Sequence, residues 1–101
     1  MVVGQKHNTT VGGDMEERIE GLRKSVSAVS QRLVAPKTWL GSDGVNVLQV
    51  LCDLLDLVSQ MNTQLAGHTH GPTPVPGNAA AFTNNAGVAI KLGAKLENIT
   101  L

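Results

Sequence analysis

The sequence predicts a mixed α and β fold, elongated and self-associating, organised around one long central helix. Three observations carry this expectation: an apolar heptad run from Leu48 to Leu65, a V-x-G unit recurring near the N-terminus, and a Pro-rich stretch leading into an Ala-rich segment. Four regions follow: 1–44 extended or partly helical, 45–67 the central helix, 68–78 an extended connector, and 79–101 a covering helix.

The central helix is the clearest element. Leu48, Leu51, Leu55, Val58, Asn62 and Leu65 alternate in spacings of three and four. That is an a/d seam, with Asn at an a position where register and oligomer state are often set. Val47, Leu54 and Met61 widen the stripe by one row, and Val50 with Leu57 adds another. Gln49, Asp53, Asp56 and Gln60 keep one flank wet. About twenty residues make a rod roughly 30 Å long. So apolar a rod must bury its stripe, either against copies of itself in a bundle or as the core helix of a small monomeric domain.

Composition narrows the function classes. The chain has 101 residues, with Trp39 and Phe82 as its aromatics and 11 glycines. Its apolar content lies in Val, Leu and Ala, which suits long repetitive packing better than a round core. Eight basic residues balance eight acidic ones. No electrostatic footprint for nucleic acid results, and no aromatic platform on which bases stack. Cys52, the single cysteine, excludes an intrachain disulfide and reads as a small buried apolar residue. MVVGQKHNTT lacks the apolar run of a signal peptide, and Asp53 and Asp56 interrupt the most apolar window. The chain starts abruptly in what reads as the middle of a repeat, as expected of a piece of a longer protein with Met1 added.

Met1 to Gly13 is Thr/Val/Gly-rich and alternating, which reads as strand and turn. Val11-Gly12-Gly13 is followed eight residues later by Ile19-Glu20-Gly21, and Gly4 precedes Gly12 by eight. That spacing points to a repeated extended unit. The following segment, Asp14 to Leu33, supports two readings. Met15, Ile19, Leu22, Val26, Val29 and Leu33 also form a heptad pattern, Asp14 with Glu17 resembles a capping box, and Glu20 and Lys24 are ordered for an i,i+4 pair. Gly21 and Ser25, Ser27 and Ser30 argue against a helix. On residues alone helix is narrowly preferred.

Ala35-Pro36 ends that segment, because the residue before a proline is pushed out of the helical region. Lys37 to Leu40 is strand-like, the turn Gly41 to Gly44 closes it, and Ser42 or Asp43 is placed to cap the central helix. Trp39 reads as a packing anchor rather than a binding residue. Pro72, Pro74 and Pro76 make the connector stiff and polyproline-like. Val88, Leu92, Leu96 and Ile99 then mark a weaker amphipathic helix. Gly87, Ala89, Gly93 and Ala94 are small enough to let it lie close against the central one.

His68 and His70 are the candidate metal ligands. Separated by one residue, they point the same way on extended chain. Two imidazoles are too few for a closed site, but three chains meeting on an axis offer six, enough for octahedral iron or another transition metal. The plainer reading is a solvent-exposed pair, and His7 reads as a surface residue. No catalytic arrangement is present: no phosphate-cradling Gly-loop, no H-E-x-x-H and no G-x-S-x-G. An enzyme is not expected, nor a small-molecule substrate.

Taken together, the V-x-G octads, APKTWLGSDGVNVLQVLCDLLDLV and HTHGPTPVPG resemble the C-terminal part of bacteriophage central spike proteins, of the kind a Pseudomonas-type myophage carries. These are the cell-puncturing components of contractile-tail baseplates. The resemblance implies a homotrimer whose N-terminal strands intertwine as a β-helix, and it moves 14–34 toward strand. It also implies a central three-helix bundle with Leu48, Leu51, Leu55, Val58, Asn62 and Leu65 as its trimer core. The Pro-rich turn would then carry the C-terminal helix back onto the bundle. His68 and His70 match the H-x-H that binds one iron per trimer in several spikes, although here a helix precedes the pair and about thirty residues follow it. The implied partners are sister chains, other baseplate and tail proteins and the host envelope, and the implied location is the virion. Against this stand two other classes, a small metal-binding module and a coiled-coil adaptor using the Leu48–Leu65 seam.

Overall fold

The computed structural model describes residues 4–69, 71 and 74–101. The chain divides into two units, Met1–Arg32 and Leu33–Leu101.

The first unit, described from Gly4 onward, is neither helix nor sheet. It runs as irregular chain with bends at Gly4–Gln5, Gly12–Gly13, Glu20–Gly21 and Ala28–Val29, eight residues apart. The octad of the sequence therefore appears as a period of bends. Among the described residues no backbone–backbone hydrogen bond outside the helices falls within Gly4–Arg32. This overturns the expected mixed α and β class with its intertwined β-helix. A strand is defined by its ladder, and among the described residues of this unit no run lies bonded beside another. It equally overturns the helical reading of 14–34. The Asp14/Glu17 box caps nothing; Glu17 pairs instead with Arg23 (3.2 Å), and Glu16 with Arg18 (3.2 Å).

The second unit is a helical hairpin. Helix α1 spans Val47–Ala66 and helix α2 spans Ala79–Glu97. The fold class of the described residues is thus α, with two isolated β-bridges and no sheet. Helix α1 begins two residues after Val45, and its cap is Asn46 rather than Ser42 or Asp43. Asn46 Oδ1 accepts from the backbone N–H of Leu48 (3.2 Å) and also from that of Leu40 (3.2 Å). Asn is among the strongest N-cap residues. Ser42 is already committed to the preceding turn, where its N–H donates to Val45 O (3.0 Å) and its carbonyl accepts from Trp39 Nε1 (2.9 Å). Gly41 makes that turn possible with φ +147°, where an added Cβ would run into the Val45 carbonyl.

At the other end Gly67 closes α1 by donating to Thr63 O (3.2 Å). Helix α2 returns antiparallel, so that Gly93 lies against Leu55 and Thr100 against Cys52. The C-terminal residues then pair with the entry to α1. Thr38 N–H donates to Ile99 O (2.8 Å), Leu101 N–H donates to Thr38 O (3.1 Å), and Thr38 and Thr100 form a parallel bridge. Lys37 Nζ adds a bond to Glu97 O (3.4 Å). Thr100, buried at this closure, donates its hydroxyl to Leu96 O (2.7 Å).

Candidate functional site

Helix α1 can be read as seven rows, each joining residues seven apart. Two rows face α2: Leu48, Leu55, Asn62 and Cys52, Ser59, Ala66, every one buried or half-buried. Opposite them on α2 lie Ala79, Ala86, Gly93 and Phe82, Ala89, Leu96, again all buried or half-buried. Both helices bring a row of small residues to the contact. Short side chains let the two backbones approach closely, so burial is achieved with little side-chain volume. The only buried apolar residues among those described are Ala86 and Ala89.

Two rows of α1 are polar and turned outward. There Gln49 Nε2 donates to Asp53 Oδ1 (3.1 Å) and Gln60 Nε2 donates to Asp56 Oδ2 (3.0 Å), pairs one turn apart on the helix surface. A groove beside them is lined by Asp53, Asp56 and Glu97 with Cys52. Among the described residues no three His, Cys, Asp or Glu side chains are grouped to hold a metal ion.

The remaining three rows are apolar, save for Gln64 at the end of one, and uncovered: Val47, Leu54, Met61; Leu51, Val58, Leu65; and Val50 with Leu57. Their exposures run from 37% for Val58 to 52% for Val50, Leu54 and Met61. A continuous stripe of this kind on a two-helix unit marks an interaction surface. Among the described residues no helix is long and apolar enough to cross a membrane.

The six residues expected to share one seam are therefore divided. Leu48, Leu55 and Asn62 turn toward α2, whereas Leu51, Val58 and Leu65 belong to the bare face. Asn62 stands between the two, and its Nδ2 donates to Val58 O (2.9 Å) within its own helix. Trp39, read from the sequence as a packing anchor, is 46% exposed, and its indole N–H donates to the Ser42 carbonyl (2.9 Å). Cys52 is half-buried, with its Sγ 3.8 Å from Thr100 Oγ1. His68 lies just beyond α1, exposed, with its backbone N–H donating to Leu65 O (3.3 Å). His70 lies outside the described residues.

Sequence reasoning missed Asn46 and the pairing of small rows. The second had a legible signal, since Cys52, Ser59 and Ala66 repeat at seven, as do Ala79, Ala86 and Gly93.

No protein-family model matches the chain, and no solved structure matches it. It is 35% identical over 94 residues to an uncharacterized 58.7 kDa protein in the lys 3′ region of Haemophilus phage HP1 (strain HP1c1). The match takes in 91% of this chain and 18% of the relative, so the chain spans less than a fifth of the length of the curated relative it matches. The relative's name states no baseplate or spike role. The chain is similar to a bacteriophage protein, and its helical hairpin is compatible with a small coiled-coil module.

Proposed function

We propose that this chain is a structural segment of a phage particle, working as a homotrimer in the central spike that punctures the host envelope when a contractile tail fires. The observation that carries this reading is the missing core. A chain whose buried apolar residues, among those described, are Ala86 and Ala89 has little hydrophobic burial of its own to offset chain entropy. Its large apolar side chains are displayed instead, with Leu22 at 86%, Val29 at 96% and Leu33 at 91% exposure. Sister chains supply the missing cover most economically, since closed rings of identical copies bury the same surface on every member. The likeness to a phage protein supports the setting. In this reading other baseplate and tail proteins are its neighbours, and function follows from stiffness without chemistry.

Sedimentation equilibrium at micromolar concentration tests the reading directly: three times the chain mass is expected, and a single-chain mass would sink it. A second reading, a small coiled-coil module without a spike role, is favoured by the hairpin itself and gains from a single-chain result. One iron per trimer held by His68 and His70 belongs to the spike reading and rests on their spacing. Elemental analysis should find it, and a His68→Ala, His70→Ala variant should lack it while keeping its mass.

A further inference from the structure

We propose that copies of this chain meet on the bare face of α1, along Val47, Leu51, Leu54, Val58, Met61 and Leu65, with α1 innermost and α2 on the outside. This rests on the self-association proposed above and fixes its register. The seam so defined keeps Leu51, Val58 and Leu65 of the Leu48–Leu65 seam that periodicity alone suggests and exchanges its other row for Val47, Leu54 and Met61, because α2 already occupies the row of Leu48, Leu55 and Asn62.

The occupant is a second and a third copy, for four reasons. First, the six residues alternate in spacings of four and three, which meshes best with a helix of the same period. Helix α2 is engaged along its rows of Ala79, Ala86, Gly93 and Phe82, Ala89, Leu96, and its exposed Val88 and Leu92 lie beside Lys91 and Lys95, so the uncharged face of matching period is α1 of another copy. Second, the face is three rows wide, with Val50 and Leu57 forming the third. A two-stranded coil needs only two rows; a threefold bundle, in which each helix touches two neighbours, uses the wider stripe. Cyclic threefold symmetry also sets the helices parallel, so Leu54 of each copy meets Leu54 of the others at one level. Third, the face carries no charge. Asp53 and Asp56 lie on the outward rows, so identical faces meet without like-charge repulsion. Fourth, the face is bare along the whole helix: its eight apolar residues, from Val47 to Leu65, are each 37–52% exposed in the single chain.

The test uses the full chain and three proteins in sedimentation equilibrium and circular dichroism. The unaltered chain is expected at three chain masses. A Leu54→Glu, Met61→Glu variant, altered on the middle row of the bare face, is expected to fall threefold in mass while keeping the helical signal of the hairpin. A Gln49→Glu, Gln60→Glu control on the outward rows is expected to stay trimeric. A single-chain mass for the unaltered chain overturns the proposed function together with this inference. A trimer that survives Leu54→Glu, Met61→Glu overturns this register alone. Should that variant lose its helices, cross-linking decides the matter. In a Cys52→Ala background, Leu54→Cys is expected to form an interchain disulfide on mild oxidation and Leu55→Cys is not; the reverse result, or no cross-link from either, overturns the register.

Discussion

Two stretches of this chain carry the same apolar rhythm and adopt different structures. Met15, Ile19, Leu22, Val26, Val29 and Leu33 recur at four and three as regularly as the residues of α1, yet the first set lies on bent, irregular chain. The difference is in what lies between the apolar positions. The N-terminal stretch holds Gly21 and three serines, each of which lowers helix propensity, and Glu17 of its acidic capping pair is drawn into an ion pair with Arg23. Helix α1 has no Gly or Pro in its interior, an Asn46 cap, and a partner helix along two of its rows. Helix nucleation is costly and most helical stability in proteins comes from tertiary packing. Apolar spacing permits a helix; a cap and a covered face make one.

That comparison can be broken or sharpened by substitution, with thermal melts followed by the helical signal of the 20 residues of α1 and the 19 of α2. The largest effect is expected from Gly41→Ala, which forces a side chain into φ +147° against the Val45 carbonyl. A loss of about 3 kcal/mol should lower the hairpin's melting temperature by roughly 12–24 °C. An unshifted melt would show that the turn does not position α1. Next, Ala89→Leu overpacks the close helix contact and should cost about 2 kcal/mol; tolerance would mean that the helices are not held close. Asn46→Ala removes a cap that also binds Leu40, and about 1.5 kcal/mol should go with it. Asn62→Leu works in the other direction, raising stability by about 1 kcal/mol and leaving the oligomer as it was, because a polar group in the row facing α2 is replaced by an apolar one. Unchanged stability would remove Asn62 from any packing role. Arg18→Ala should leave the melt unmoved, since Arg18 and its partner Glu16 are both largely in solvent.

Much of the hairpin is legible in the residues. The heptad from Leu48, the Gly67 stop, the proline-punctuated connector and the alanine run at 79 each leave a local mark. Which rows of α1 face α2 is not marked locally, because Leu48 and Leu51 are equally apolar. The choice is made by the small side chains of Cys52, Ser59 and Ala66, one row beyond Leu48, which α2 can approach and which no search for large residues finds. The eight-residue unit near the N-terminus is legible as a repeat. Its pairing is not, since extended chain becomes strand only beside a neighbour. The β-helix expectation came from resemblance to a family, and that is where it failed.

The clasp between Thr38 and the Ile99–Leu101 segment has a practical consequence. Because the way into the hairpin and the way out of it are hydrogen-bonded side by side, the unit is a closed circuit with a single attachment point. It satisfies the geometric condition for being spliced whole into a surface loop of an unrelated host, or for being reopened in the connector after its present ends are joined. It also means that α2 cannot unwind from its last turn without first releasing the segment that leads into α1.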